Sequence, residues 1–148
     1  MKVEVRLVGA DEEETLLIRC HAITDEIREI ADFARSRQGK LSGSIEEERF
    51  EVPYYEIHYI ESVDGRTFLY TADNVYESTY RLYELDEKLR DKWFLRISKG
   101  MLVNLMKIRS IRPALNGRFS IILKSGEEVI VSRSYVKDLK AALKGGVN

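Results

Sequence analysis

The stretch FLRISKGMLVNL, residues 94–105, decides how this chain is read. Phe94, Leu95 and Ile97 look like the end of one strand, and Met101, Leu102 and Val103 like the start of the next. Within a few positions Arg96, Ser98, Lys99 and Gly100 interrupt them with charge and flexibility. A small protein has placed a basic loop between two pieces of core, and that loop needs a reason.

Working outward, the neighbours are short strands and turns. YEIHYIES (55–62) and RTFLYT (66–71) flank Val63-Asp64-Gly65. Asp-Gly between aliphatic runs marks a hairpin, because Gly accepts positive φ without steric cost. NVYES (74–78) is a short extended piece. The spacing of Leu82, Leu85 and Leu89 predicts a helix over 78–92, with Ser78 or Thr79 as cap and Arg90 and Lys92 at its negative end. WFLRIS (93–98), MLVNL (101–105), KIRSIRP (107–113), RFSIILK (118–124) and EVIVS (128–132) follow as strands, with turns at Asn116-Gly117 and Ser125-Gly126. A last helix over 134–144 buries Val136, Leu139 and Leu143 and ends at Gly145 and Gly146. Close-spaced short strands without a β-α-β rhythm predict antiparallel sheets, a mainly β (α+β) fold.

Ahead of this lie residues 1–52, expected to form a small β-β-α unit, with 53–148 as the second part. VEVRLV (3–8) alternates apolar and polar, TLLIRC (15–20) is a second candidate strand, and TDEIREIADFARS (24–36) is helical. Thr24 caps that helix, and Ile27, Ile30 and Ala34 or Phe33 give it a buried face. GKLSGS (39–44) reads as a turn or linker. The unit is too short for a five-stranded doubly wound receiver domain.

Composition narrows the class. With 148 residues, 44% hydrophobic and 33% charged, the chain is long enough for a core and is not a disordered type. No apolar run approaches the roughly 20 residues that cross a bilayer. MKVEVRLVGADEEE has no apolar core of a secretory signal. Cys20 is alone, so no internal disulfide forms and a reduced, cytoplasmic setting is expected. The net charge of −1 hides an asymmetry: residues 1–52 carry 8 Lys/Arg against 13 Asp/Glu, while 92–148 carry 12 against 3. Such a basic half suggests a polyanion surface, or else a lysine-rich wet face.

No GxSxG, Gly-rich phosphate loop, HExxH or CxxC is present, so no catalysis and no cofactor are expected. Cys20 reads as buried in its strand. His21 and His58 have no partners at metal-ligand spacing. The tyrosines, such as Tyr59 and Tyr70, suit packing better than base stacking. Lys107, Arg109 and Arg112 are read as sharing one strand face, a phosphate track or simply its wet side. Asn104, inside an apolar strand, suits backbone hydrogen bonding.

Taken in order, IHYIES, YRLYELDEKL, FLRISKGMLVNLMKI and NGRFSIILKSGEEVIVSRSYVKDLK make residues 53–143 resemble the LytTR DNA-binding domain of bacterial transcription regulators. The chain looks like the compact members of that family that lack a receiver. The resemblance implies a stack of small antiparallel sheets that touches double-stranded DNA through loops and strand ends. Base edges lie recessed in a groove, so a reader must project side chains beyond its backbone. That is the reason implied for the interrupted stretch.

By position, three regions are implied to face DNA: Arg66 in the hairpin at 64–67; Ser98, Lys99 and Gly100 after Arg96; and Arg133, Ser134 and Lys137 entering the last helix. Arg133 is expected to pair with guanine, or else to support a contact made at Ser134. Ser134 stands where many relatives are basic, and Gly100 departs from the usual Ser. Arg96 either shares the DNA face or pairs with a helix carboxylate such as Glu84 or Asp91. The implied function is sequence-specific regulation of transcription. The implied partners are DNA with two repeats, a second protomer forming a homodimer on it, and an integral-membrane protein that restrains the regulator. The competing expectation is a protein-interaction or dimerisation module working through residues 1–52; an enzyme or ligand sensor in that part is a third.

Overall fold

The computed structural model describes residues 1–144. It contains a seven-stranded and a three-stranded antiparallel sheet. The larger sheet has β1 (Lys40–Ile45), β2 (Glu48–Pro53), β3 (Tyr59–Val63), β4 (Arg66–Tyr70), β5 (Val75–Ser78), β6 (Phe94–Ser98) and β7 (Met101–Asn104). Their order across it is β2-β1-β5-β4-β3-β7-β6. The smaller sheet has β8 (Ile108–Pro113), β9 (Phe119–Leu123) and β10 (Glu128–Val131) in the order β10-β9-β8. Three helices accompany them: α1 (Asp25–Ser36), α2 (Leu82–Lys88) and α3 (Val136–Lys144).

Period-two alternation puts apolar side chains on both faces of the larger sheet. Ile60, Leu69 and Leu102 join Leu82 and Leu85 of α2 and its capping residue Leu89 in one core. Their chain neighbours Tyr59 and Val103 point the other way, into a second core with Ile97, Ile121, Leu123, Val131 and Leu139 of α3. The central strands are thus covered twice, and each buried aliphatic side chain contributes about 1.5–3 kcal/mol. That double cover makes β3, β6 and β7 a stiff base for whatever their ends carry.

The β3–β4 hairpin turns at Asp64 and Gly65, with φ of 52° and 77°. Both central residues at positive φ give the tight turn whose twist matches the strands, as Asp-Gly predicted. Asn104 is 1% exposed. Its amide donates to Ile57 O at 2.9 Å and its Oδ1 accepts from Met106 N at 2.9 Å, so it is the backbone-bonding residue expected.

Several expectations are corrected. Residues 3–8 and 15–20 form no strand, so the front is not a β-β-α unit; only its helix is present, capped by Thr24 Oγ1 accepting from Ile27 N. GKLSGS is not a linker but contributes β1, and β2 runs across the boundary drawn at 52/53. Gly43 has a packing reason, since a Cβ there would stand 2.7 Å from Tyr76 Cβ. Cys20 is exposed, not buried in a strand. The face of α1 is not buried either, Ser36 being its one buried residue. The middle helix is shorter than 78–92 and starts after Arg81, whose N–H donates to Glu84 Oε1 at 2.9 Å; Ser78 Oγ instead accepts from Tyr80 N. The end of α3 at Gly145 and Gly146 lies outside the described residues.

His58 is buried just before β3. Its backbone N–H donates to Tyr70 O at 2.7 Å and its backbone O accepts from Asn104 N at 2.9 Å, while Nδ1 has no partner among the described residues. Burial, and then the nearby Lys107 charge, hold the imidazole below its ordinary pKa. Burial and a hydrogen bond to Glu127 push the Tyr59 hydroxyl up.

Candidate nucleic-acid interface

The three basic regions expected to act together are joined by backbone hydrogen bonds. Ser62 N, at the end of β3, donates to Gly100 O at 2.8 Å. Ser132 N, leading into the turn Arg133–Tyr135, donates to Ile97 O at 2.8 Å. The β6–β7 turn therefore sits between the β3–β4 hairpin and the entry to α3. Sheet register agrees: Glu61 pairs with Met101, which brings Val63 and Arg66 to the same end as Ser98–Gly100.

In the β6–β7 turn, the side chains divide into holders and a free cation. Arg96 lies on the α2 side of its strand, and its ion pair is with Asp86 at 3.6 Å, not with Glu84 or Asp91. Its Nε donates to Ser98 O at 3.1 Å and a terminal nitrogen donates to Lys99 O at 2.5 Å. A guanidinium with several fixed donors is well suited to gripping two carbonyls at once. Ser98 Oγ accepts from Gly100 N at 3.3 Å. Gly100 fits closely, since a Cβ would stand 3.3 Å from Ser62 O. The turn is held, not loose. Lys99, at its tip, is exposed and has no ion pair among the described residues.

Arg66 is differently employed. Its Nε and a terminal nitrogen donate to the two Glu77 carboxylate oxygens at 3.0 and 2.6 Å, across β4 and β5. The guanidinium lies 5.2 Å from the Phe68 ring centre. The hydrogen bond from Arg66 holds the Glu77 carboxyl below its ordinary pKa. This bidentate pair is exposed and neutralises the hairpin tip.

At the third region Arg133, Ser134 and Lys137 are all exposed, and neither Arg133 nor Lys137 has an ion pair among the described residues. The stem of Arg133 crosses the β8–β9 turn, where a Cβ on Gly117 would stand 2.9 Å from Arg133 Cδ. Gly117, at φ 75°, both makes that turn and leaves room for the arginine. Lys107, Arg109 and Arg112 do not form one face: Lys107 belongs to the turn Leu105–Lys107, a register shift falls between Ile108 and Ser110, and Arg112 pairs with Glu128 at 3.6 Å.

Sequence reasoning missed Asp86 and Glu77, the carboxylates that engage Arg96 and Arg66. Glu77 stands beside Phe68 in the β4–β5 register, a relation visible only once the strands are paired. Among the described residues no group of three His, Cys, Asp or Glu side chains could hold a metal, and no helix is long and apolar enough to cross a membrane.

The described residues form a β scaffold with Arg- and Lys-bearing loops brought together at one end. Residues 47–144 match the LytTr DNA-binding domain, and the chain belongs to that family. It is 31% identical over 121 residues to the sensory transduction protein LytT of Bacillus subtilis (strain 168), covering 82% of this chain and 50% of that protein. It is 35% identical over 107 residues to the transcriptional regulatory protein YpdB of Escherichia coli (strain K12), covering 71% and 44%. The chain thus spans half or less of the length of these relatives. A solved LytTr DNA-binding domain of a putative methyl-accepting/DNA response regulator from Bacillus cereus shares the fold, with a TM-score of 0.68 at 24% identity, over 72% of this chain and 97% of that one.

Proposed function

We propose that this protein is a sequence-specific, double-stranded DNA-binding transcription regulator that acts in the cytoplasm and works as a homodimer on DNA carrying two repeats. The observation that carries the reading is the pair of backbone bonds, Ser62 to Gly100 and Ser132 to Ile97, that brings the three loops bearing Arg66, Lys99 and Arg133 to one end of the molecule. Membership of the LytTr family and the excess of 12 Lys/Arg over 3 acids in residues 92–148 support it.

In this reading Lys99 and Lys137 meet phosphates, Ser98 and Ser134 add hydroxyl contacts, and Arg133 reaches a base edge. Arg96 is a positioning residue, since its donors are occupied by the turn it shapes. Arg66 joins when a phosphate replaces Glu77 as its partner. One protomer reads a short stretch, so two repeats call for two protomers.

Selection of fragments from a random DNA pool, followed by anisotropy titration of the enriched duplex, tests the reading. The parent should bind with affinity that falls steeply with salt, because Lys and Arg release condensed cations. Lys99→Ala and Arg133→Ala should each weaken binding while thermal unfolding stays as in the parent. If no motif is enriched, or both variants bind it as the parent does, the proposed interface is wrong.

A further inference from the structure

Helix α1 is 12 residues long, about 18 Å in α-helical rise and short of what stands alone in water. Helices of that length persist by packing an apolar face against something. Yet Ile23 is 68% exposed, Ile30 38% and Phe33 53%. Ile27, Ile30 and Ala34 follow each other on α1 at spacings of three and four, as in the seam of two helices packed side by side, with Ile23 just ahead of the cap. Leu16 and Ile18 run beside Ile27, Ala31 and Ala34 and widen the seam into a groove with an apolar floor, edged by Arg28, Asp32, Arg35 and Gln38. Among the described residues nothing fills it.

Charge along the helix says what does. Asp25, Glu26 and Glu29 outnumber Arg28 in its first part; at its end stand Arg35, which is 3.3 Å from Asp32, and the capping Arg37, which donates to the Tyr55 hydroxyl, so the end carries a net positive charge. Laid antiparallel on a copy of itself, the acidic end of each helix meets the basic end of the other, and the two helix dipoles oppose favourably. A two-fold pair uses the same patch twice, so self-complementarity is the property it needs. We infer that a second copy of this chain covers the groove, with the two α1 helices antiparallel. Residues 1–36 are then the dimerisation segment, distinct from the loop end that meets DNA. The inference supplies the contact for the proposed homodimer and rests on that reading only for its use on DNA.

The test is the mass of the full chain in solution, by light scattering across a dilution series. The parent should have the mass of two chains and Ile27→Glu/Ile30→Glu that of one, with the β-sheet signal by circular dichroism unchanged. Glu26→Lys and Arg35→Glu should each shift the midpoint toward the monomer, and the double variant should restore it, as only the antiparallel arrangement requires. The lone Cys20 reports direction as well. It lies beyond the start of α1, so antiparallel copies hold the two thiols apart by about the helix length, roughly 18 Å, beyond disulfide reach. Mild oxidation should therefore leave the dimer unlinked; efficient Cys20–Cys20 linkage overturns the antiparallel pair.

A parent that is a single chain at every concentration, or a dimer that survives Ile27→Glu/Ile30→Glu, overturns the interface. Affinity for a duplex with one repeat separates the two ideas: the double glutamate variant should match the parent there and lose only the gain from a second repeat. Failure of every form to bind the single repeat counts against the DNA reading and leaves the dimer to the mass measurement.

Discussion

The two hairpin tips at the loop end carry one arginine each and use them in opposite ways. At the β3–β4 tip, Arg66 faces outward and is satisfied by Glu77 from the neighbouring strand. At the β6–β7 tip, Arg96 turns back, grips the carbonyls of Ser98 and Lys99, and leaves Lys99 as the free charge. The same side chain is a masked contact in one place and a structural clamp in the other. Position within the strand does not tell these roles apart; the nearest carboxylate and the nearest free carbonyls do.

The largest effect should come from the clamp. Arg96→Ala removes two hydrogen bonds and the Asp86 ion pair from a partly buried guanidinium. Charged hydrogen bonds of this kind contribute about 1.5–3 kcal/mol each at most, so DNA affinity should fall roughly tenfold to a hundredfold as the turn loosens. Lys at this position should not rescue, because an ammonium cannot fork between the carbonyls. An Arg96→Ala variant with parental affinity would break the contrast between the tips.

Lys99→Ala should come next, with a loss of about tenfold or less at moderate salt and a salt slope shallower by about 1. Thermal unfolding should not move, since the side chain is exposed and makes no hydrogen bond or ion pair among the described residues. Glu77→Gln sharpens the comparison from the other side. It releases Arg66 from its neutralising partner, and affinity should rise, by about threefold at low salt and less as salt is added. A fall would mean that the pair orients Arg66 for DNA instead of withholding it.

The smallest effect lies at the far end of β3. His58 is held neutral by burial, so the unfolded chain binds the proton more readily than the folded one. Stability is then greatest above the ordinary imidazole pKa and declines as pH falls through about 6.5 and below. Melting temperature followed from pH 8 down to pH 5 should drop, and His58→Gln should flatten that part of the curve. A parental curve that rises toward acid would reverse the assigned sign.

Much of the body was legible in the chain. Asp64-Gly65 marked its hairpin because few residue pairs tolerate two positive φ angles in succession. Leu82, Leu85 and Leu89 marked α2 by spacing, though its first turn began later than the cap residues suggested. The front misled for a physical reason. VEVRLV alternates as strands do and TLLIRC is apolar enough for one, but such patterns describe a surface to be buried, and a strand also needs a neighbour to bond. They have none among the described residues. GKLSGS erred the other way: its glycine marks Tyr76 packed against the backbone of β1, not a flexible link.

The sequence by itself determined where strands turn, which helix faces are apolar, where positive charge accumulates and which family the chain resembles. Those follow from local sterics and side-chain spacing, which a linear reading contains. Only the tertiary structure decided that Arg96 holds a turn, that Arg66 is paired with Glu77, and that Ser62, Ile97, Gly100 and Ser132 tie three loops together. These depend on which distant strands lie side by side, and hydrogen bonds and ion pairs act only over the few ångströms that such pairing creates.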